Sequence, residues 1–450
     1  MNQIFDILPG LFTTLIEHLI KEMAHFNTWS GAGAELMEFG VLYPAAMALL
    51  WIIFSFLFVL RREWRLPFNR GFKPSIAVVV PAHNEELVIA QTIEGLLEQT
   101  YPNMQIHIVS DGSTDATVEI ARRYQSRGVI VHDLKPNRGK SKALQHVLEH
   151  VNTDLFMVVD ADTVADPGTM GLMVQQFIDP HVGAVTGHPR VGNVVNLLTA
   201  IQAMEYAVIV SLAKRAEQFW GGLYTVSGAA ACFRTEALRQ VGGWSERTAT
   251  EDIEVSWRLQ KAGWLLAYEP RALFRVQAPV RLGALYRQRR RWSQGMAEVL
   301  RLHWNLAFTN NAALIPIAVQ VLATALWMLL MTVFLLQTAF SLLNGSFDPG
   351  DLLRLTTIEW YRIFFWTFGL FALQTFSACV FDGAYERGVW RIFPLFVLYP
   401  LYYWLVVYPS FLLGAVRGLR TGPAGQWKRT ERTAALALTD LNSTIGSSSN

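Results

Sequence analysis

The sequence predicts an α/β domain built on a mostly parallel sheet, embedded between transmembrane helices and bordered by amphipathic interface helices. Two observations support this prediction. Of the 450 residues, 52% are hydrophobic and only 16% are charged, which departs from the usual composition of soluble proteins. Long uncharged runs flank residues 61–311, where polarity is normal and short β-branched runs alternate with helical periods.

The charge and the cysteine content exclude several classes of function. The 38 basic and 36 acidic residues give a net charge of +2, so no uniform field favours nucleic acid as a partner. The two cysteines, Cys232 and Cys379, are too few for a disulfide framework or a cysteine-based zinc site.

Uncharged runs that are long enough to cross the bilayer predict four membrane spans. They are residues 39–60, 312–343, 363–381 and 392–416. Residues 1–38 form a separate N-terminal segment. Its apolar stretch, residues 4–20, contains Asp6 and Glu17, which favours an interfacial helix over the alternative of a fifth span.

The distribution of basic residues predicts the orientation in the membrane. Arg61, Arg62 and Arg70 follow the first run and glutamates precede it, so the domain that follows is expected on the cytoplasmic side of the membrane. The tail, residues 417–450, is basic, and its composition then predicts a disordered end. The positive charge of the tail favours the cytoplasmic side, but three spans after a cytoplasmic domain would place the tail on the opposite side. Either residues 392–416 are partly re-entrant or residues 312–343 are not a simple span.

Between the spans, the apolar runs at residues 76–80, 105–110, 129–132 and 155–159 predict strands. Helical periods at residues 87–99, 116–126 and 139–151 separate them. In open α/β sheets, ligands bind outside the carboxyl ends of the strands. The polar residues that directly follow each strand are therefore the candidate site residues.

Acidic residues follow three of these strands. Glu85 comes after the first strand and Asp111 after the second, where a plain helix cap is the alternative. Asp160 and Asp162 follow the fourth strand, and alternation would point both to one side. Two such anions about 4 Å apart repel by about 4 kcal/mol, which a divalent cation removes. Oxygen ligands favour Mg²⁺ or Mn²⁺, with a solvated loop as the alternative.

Further candidates lie at helix starts. Residues 137–141 resemble the end of a phosphate loop, but Leu134 replaces the required glycine, which disfavours a P-loop ATPase. Lys140 can still meet phosphate, with a solvated face as the alternative. Glu251 and Asp252 open a predicted helix, where the helix dipole favours acids. A carboxylate at this position could also accept a proton from a sugar hydroxyl.

The stretch of residues 281–303 is basic and amphipathic, which is typical of helices on a membrane surface. It contains Gln288, Arg291 and Trp292. A cation suits a leaving diphosphate, and an aromatic plane suits an acceptor sugar.

The order of these motifs along the chain resembles that of the processive, inverting family 2 glycosyltransferases. The motifs are Asp111, Asp160-x-Asp162, Thr250-Glu251-Asp252 and Gln288-x-x-Arg291-Trp292. That family includes cellulose, chitin, hyaluronan and poly-N-acetylglucosamine synthases. Residues 186–190, 226–228 and 268–272 make the chain most similar to the bacterial poly-β-1,6-N-acetylglucosamine synthases of biofilm matrix. The resemblance implies a GT-A domain over residues 61–280, interface helices over 281–311 and transmembrane helices over 312–416.

The resemblance also implies that UDP-N-acetylglucosamine is polymerised into a β-linked, expected β-1,6, exopolysaccharide, with Mg²⁺ or Mn²⁺ as cofactor. It implies a multi-pass protein of the bacterial inner membrane whose spans export the product. Carried over by position, Asp252 is the general base and Asp162 holds the metal. The donor residues are Glu85, Asp111, Lys140, Asp160 and Arg291. The acceptor residues are Ser227, Gly228, Glu251, Gln288 and Trp292.

The partners that the resemblance implies are membrane lipid, the growing polysaccharide, a small two-helix membrane subunit and cyclic diguanylate. Candidates for the export path, with ordinary helix packing as the alternative, are Gln320, Gln337, Gln374, Tyr402, Tyr403 and Tyr408. A synthase of another polymer, transfer of one sugar to a lipid carrier, and a pseudo-transferase that serves as a channel or receptor are the competing hypotheses.

Overall fold

The computed structural model describes residues 32–63, 69–305, 314–344 and 365–420. The interfacial helix predicted at residues 4–20 and the tail beyond residue 420 lie outside the described residues. The chain divides into two compact units. One comprises Met1–Met47 and Val321–Thr367, and the other comprises Ala48–Gln320 and Phe368–Asn450. The segment boundaries given above stay predictions.

The larger unit contains one eight-stranded sheet. Its strands are β1 Ile76–Ala82, β2 Met104–Asp111, β3 Val129–Leu134, β4 Leu155–Val159, β5 Thr163–Ala165, β6 Val182–Val191, β7 Ala230–Arg234 and β8 Leu265–Val276. The strand order is β3-β2-β1-β4-β7-β6-β8-β5. Strands β3, β2, β1 and β4 are parallel, whereas β7 is antiparallel to β4 and β6. The α/β prediction is confirmed, and the four predicted strands are β1 to β4.

The helices are numbered in chain order. They are α1 Ala32–Arg61, α2 Ile89–Leu97, α3 Thr117–Arg122, α4 Lys140–His150, α5 Thr169–Gln175, α6 Leu197–Trp220, α7 Thr235–Gln240, α8 Glu251–Lys261, α9 Leu282–Leu302, α10 Ile315–Leu343, α11 Leu370–Asp382 and α12 Tyr399–Arg420. The middle turns of α6 and α12 are π-helical.

Both faces of the sheet are covered by helices. Along β1, Ile76 and Val78 face the layer that contains α2 and α5, whereas Ala77 and Val79 face the layer that contains α4. All four side chains are fully buried. A strand buried on both faces has a continuous apolar sequence, and its carboxyl end is the place where polar residues can gather.

Within the described ranges, four helices are long and apolar enough to cross a membrane: Leu42–Arg61, Leu197–Trp220, Ile315–Leu336 and Tyr399–Arg420. The predicted spans at residues 39–60 and 312–343 correspond to α1 and α10. The run at residues 392–416 is not one helix, because a 3₁₀ stretch, Arg387–Val397, precedes α12. The run at 363–381 overlaps α11, and a π-helical turn, Phe365–Gly369, leads directly into this helix.

Helix α6 is the apolar helix that the sequence did not indicate, because charged residues interrupt its hydropathy. Most of it is covered by protein, and its charged side chains are buried with partners. Arg215 lies 2.8 Å from Glu63 and 2.8 Å from Asp382. The Lys214 ammonium donates to the carbonyl of Thr225 at 2.5 Å. Buried charges of this kind persist only when they are paired.

In the smaller unit, α1 and α10 pack side by side. The Trp327 indole donates to the carbonyl of Gly40 at 3.0 Å, and the hydroxyls of Tyr43 and Thr324 lie 2.5 Å apart. These bonds satisfy polar groups of two highly apolar helices within the unit.

Candidate active site

Lys140 is the central cation of the candidate site. It is the first residue of α4 and follows Gly139, whose φ of 101° is unfavourable for other residues. Its ammonium lies 2.8 Å from Asp160 and 2.8 Å from Glu251, with 16% of the side chain exposed. Burial acts to lower the pKa of Lys140, but the two carboxylates outweigh this effect and raise it. The solvated-face alternative is therefore wrong for Lys140.

Asp111 shapes the loop that leads into α4. Its two carboxylate oxygens accept hydrogen bonds from the backbone N–H groups of Arg138, at 2.9 Å, and Gly139, at 2.7 Å. Gly112 follows with a φ of 68° and lies against the backbone of Asn137, so a side chain does not fit there. The buried Asp111 thus fixes the position from which Lys140 starts.

The turns after β1 and β2 are joined to each other. His83 lies 2.8 Å from the carbonyl of Asp111 through its Nδ1. The backbone N–H of Glu85 donates to the Thr117 hydroxyl at 2.8 Å, and the Glu85 side chain is buried. Asp115 accepts from the N–H of Thr117, the first residue of α3, at 3.0 Å.

Glu251 and Asp252 open α8 and have opposite pKa shifts. Burial raises the pKa of Asp252 to about 6, and the neighbouring Glu251 charge adds to the rise against the opposing effect of Lys140. For Glu251, burial also acts to raise the pKa, but the Lys140 ion pair prevails and lowers it. Neighbouring carboxyls whose pKa values are pushed apart are typical of acid–base sites.

Asp252 is held by backbone groups. Its Oδ2 accepts from the N–H of Gly228 at 2.9 Å, and its Oδ1 accepts from the N–H of Ile253 at 2.9 Å. A Cβ added at Gly228 would lie 2.9 Å from Oδ2, so this approach requires glycine. The adjacent Ser227 N–H donates to the Thr186 hydroxyl of β6 at 3.0 Å. Gly228 and Ser227 are thus next to the predicted base.

Asp160 and Asp162 flank the buried Ala161 in a tight turn between β4 and β5, closed by a 3.0 Å bond from Thr163 N–H to the Asp160 carbonyl. Lys140 already balances the charge of Asp160. Among the described residues, no group of three or more His, Cys, Asp or Glu side chains is arranged around one metal position. Magnesium often takes one or two protein carboxylates and completes its shell with substrate phosphates. The number of carboxylates in this turn is compatible with such an ion, and Asp162 stays a predicted metal ligand.

Helix α9 carries Gln288, Arg291 and Trp292 and is attached to the loop before α8. The buried Glu298 accepts from the N–H of Ala249 at 2.7 Å. Gly295 packs directly on the side chain of Thr250. The exposed Arg291 guanidinium contributes to the lowered pKa of Glu251. The motif on α9 and the acids of α8 therefore belong to one region.

Helix α12 packs on α9 through two glycines. Gly414 lies against the carbonyl of Arg290, and Gly418 lies against the carbonyl of Gln294. A Cβ at either glycine would overlap the backbone of α9. The hydroxyl of Ser293 adds a hydrogen bond to the carbonyl of Phe411 at 2.5 Å.

Sequence reasoning missed Arg289 and Glu205. Arg289 of α9 and Glu205 of α6 form a buried ion pair at 2.5 Å. Two signals were available: Arg289 is an additional arginine within residues 288–292, and Glu205 is an isolated acid within an apolar run. Of the export-path candidates, Gln374, Tyr402 and Tyr408 are buried, while the side chain of Gln337 lies outside the described residues.

The chain was compared with known families, proteins and structures. Residues 74–295 match the family described as glycosyltransferase like family 2. The poly-beta-1,6-N-acetyl-D-glucosamine synthase of Staphylococcus epidermidis is 31% identical over 413 residues, which cover 88% of this chain and 98% of that protein. The synthase of the same name from Staphylococcus aureus (strain COL) is 34% identical over 312 residues, or 67% of this chain and 75% of that protein.

Among solved structures, the mannosyltransferase PcManGT from Pyrobaculum calidifontis, in complex with GDP-Man and Mn²⁺, has a TM-score of 0.58. It is 19% identical, and the alignment covers 86% of this chain and 99% of that chain. At this identity the likeness concerns the fold. It agrees with the GT-A prediction for the sheet and its flanking helices.

Proposed function

This chain belongs to glycosyltransferase family 2, and from that premise we propose that it is a membrane-embedded, processive, inverting N-acetylglucosaminyltransferase. It takes UDP-N-acetylglucosamine, extends a β-1,6-linked polysaccharide and moves the product across the inner membrane. The names of its relatives support the polymer, since two of them are poly-beta-1,6-N-acetyl-D-glucosamine synthases. The relatives' match over most of the chain extends this support to the flanking helices.

The observation that carries the proposal is the arrangement around Lys140 and Asp252. A buried cation joins Asp160, at the end of β4, to Glu251, at the start of α8. Next to that pair lies Asp252, a carboxylate whose pKa of about 6 suits proton abstraction near neutral pH. Donor-side and base-side groups therefore converge at one edge of the sheet.

In the proposed reaction, a hydroxyl oxygen of the acceptor sugar attacks the anomeric carbon of the donor. Asp252 accepts the hydroxyl proton, the bond from that carbon to the diphosphate oxygen breaks, and UDP leaves with the electron pair. A single displacement inverts the anomeric configuration and needs no covalent enzyme intermediate. Orientation of the two sugars contributes a large part of such a rate enhancement.

The other site residues have supporting roles in this proposal. The nucleotide binds near Asp111 and Glu85, and Lys140 and Arg291 face the diphosphate. Gln288 and Trp292 of α9 hold the acceptor with Ser227, Gly228 and Glu251. Asp162, with Asp160, would hold Mg²⁺ or Mn²⁺, and such an ion supplies positive charge to a departing diphosphate.

The proposed orientation places the catalytic unit in the cytoplasm, because Arg61 and Arg62 follow the first membrane helix. A small two-helix membrane subunit and cyclic diguanylate are proposed as partners on the family resemblance. The growing polymer would leave the region of Trp292 directly beside α12.

The function can be tested with membranes that contain the full chain. Given UDP-N-acetylglucosamine and Mg²⁺, they should release UDP and form polymer, and mass and linkage analysis of the product should show β-1,6-linked N-acetylglucosamine. Asp252→Asn should abolish both products while the protein still folds. The exposed Asp179→Asn serves as a matched control that stays active. Polymer made by Asp252→Asn would refute the role of the base, and another product would refute the choice of sugar.

A further inference from the structure

Arg289 is the first arginine of the motif on α9, and unlike the exposed Arg291 it is buried, with 4% exposure. Its Nη2 lies 2.5 Å from Oε2 of Glu205, on α6. The same carboxylate oxygen accepts a hydrogen bond from the Tyr402 hydroxyl of α12 at 3.3 Å. Glu205 and Tyr402 are buried as well. Three helices therefore meet at one ion pair directly beside the proposed acceptor residues.

The same guanidinium lies over the ring of Trp292, with its carbon 4.3 Å from the ring centroid. Arg289 and Trp292 are three residues apart on α9, so they share one face of the helix. A guanidinium over an indole face is attractive, and the attraction is larger away from water. Because Arg289 covers one face of the indole, only the opposite face can stack on a sugar.

We infer that Arg289 is a positioning residue, which acts on the acceptor sugar through Trp292 and is itself fixed by Glu205 and Tyr402. This inference rests on the proposed function. The ion pair holds the guanidinium in place, and the guanidinium holds the indole plane. Lysine keeps the charge but lacks a planar group that can pair with a carboxylate and stack on an aromatic ring at the same time. Binding of the acceptor, rather than of the donor, therefore depends on Arg289.

The test uses the full chain in membranes, with UDP-N-acetylglucosamine as donor and a β-1,6-linked N-acetylglucosamine oligosaccharide as acceptor. Arg289→Lys should raise the KM for the acceptor about tenfold, which corresponds to about 1.4 kcal/mol, and should shorten the product. The KM for the donor should stay within about twofold. Glu205→Gln should act in the same direction. Arg301→Lys, which is exposed on the same helix, should change neither KM.

A second variant separates positioning from folding. Removing only one partner leaves a buried, unpaired charge and destabilises the protein. The double variant Arg289→Gln with Glu205→Gln keeps the packing without a buried charge. It should unfold at nearly the wild-type temperature and still show the raised KM for the acceptor, because the guanidinium is absent.

The outcomes distinguish this inference from the proposed function. If wild-type membranes release no UDP from UDP-N-acetylglucosamine, the proposed function is wrong, and the inference that depends on it is withdrawn. If the wild type is active and the double variant and Arg289→Lys both keep the wild-type KM for the acceptor, only the positioning role is overturned.

Discussion

Replacing Lys140 by methionine tests the ion pairs at the centre of the candidate site. The ammonium is 2.8 Å from each of two carboxylates, and the exposed side-chain fractions are 16% for Lys140, 33% for Asp160 and 12% for Glu251. Removing one partner of a buried pair typically costs about 3 to 5 kcal/mol. Because water screens part of the Asp160 interaction, we expect Lys140→Met to lower the free energy of unfolding by about 3 kcal/mol.

Lys142 provides a matched control on the same helix. Its ammonium lies 3.2 Å from Glu246, and both side chains are about half exposed. Exposed ion pairs contribute at most about 1 kcal/mol, so Lys142→Met should have little effect. Thermal unfolding in detergent at pH 7.5 measures both variants. Equal losses of stability in the two variants would refute the central role given to Lys140.

The same variant makes a prediction about pH. Lys140 is one of the groups that lower the pKa of Asp252, which is nevertheless about 6 in the intact site. Without Lys140 this pKa rises, so the acid limb of kcat/KM should move to higher pH in Lys140→Met. Adding Glu251→Gln removes the newly unpaired charge and should restore part of the lost stability. A shift of the acid limb to lower pH contradicts the electrostatic account.

Three further predictions concern the wild type and single glycine or histidine positions. In the wild type, kcat/KM should rise with pH as Asp252 loses its proton, reach half its plateau near pH 6 and level off above about pH 7. A flat profile between pH 5 and 8 would exclude Asp252 as the base. Gly228→Ala should reduce kcat at least about tenfold, because the added methyl group displaces Asp252. In the control Gly171→Ala, the added Cβ meets no atom within 4 Å, so this variant should keep its activity and gain up to about 1 kcal/mol in stability. Burial and the charge of His132 lower the pKa of His107 to about 4, below its ordinary 6.5. As the pH falls, His107 is therefore protonated in the unfolded chain before it is protonated in the folded protein. Stability should therefore fall by about 2 kcal/mol as pH decreases from 6.5 to 4, and denaturant unfolding of His107→Asn should show a smaller pH dependence.

Much of the fold and several site residues were predictable because site residues follow the carboxyl ends of buried parallel strands. Strands β1 to β4 are parallel and covered on both faces, so their sequences are uniformly apolar and end abruptly in polar residues. The topology then brings Asp111, Lys140 and Asp160 to one edge of the sheet. These residues could therefore be identified from the sequence alone, without information on any tertiary contact.

Other features depend on contacts between distant segments. The pairing of Lys140 with Glu251 decides that these residues are buried rather than solvated, and no local pattern indicates it. Helix α6 was not predicted for the same reason. Arg215 can be buried in this helix only because it pairs with Glu63 and Asp382, which are distant in the sequence. A hydropathy profile scores such charges as exposed and therefore misses the helix.

The glycine contacts between α9 and α12 restrict how this helix pair can move. Gly414 meets Arg290 and Gly418 meets Gln294, so the contacts recur every four residues along both helices. Sliding one helix by a single residue would drive a side chain of α12 into the backbone of α9, whereas slight rocking about the seam would not. The helix that carries Trp292 is thus locked in register. In the proposed function, an advance of the polymer by one sugar therefore cannot come from an equal translation of α9 along α12.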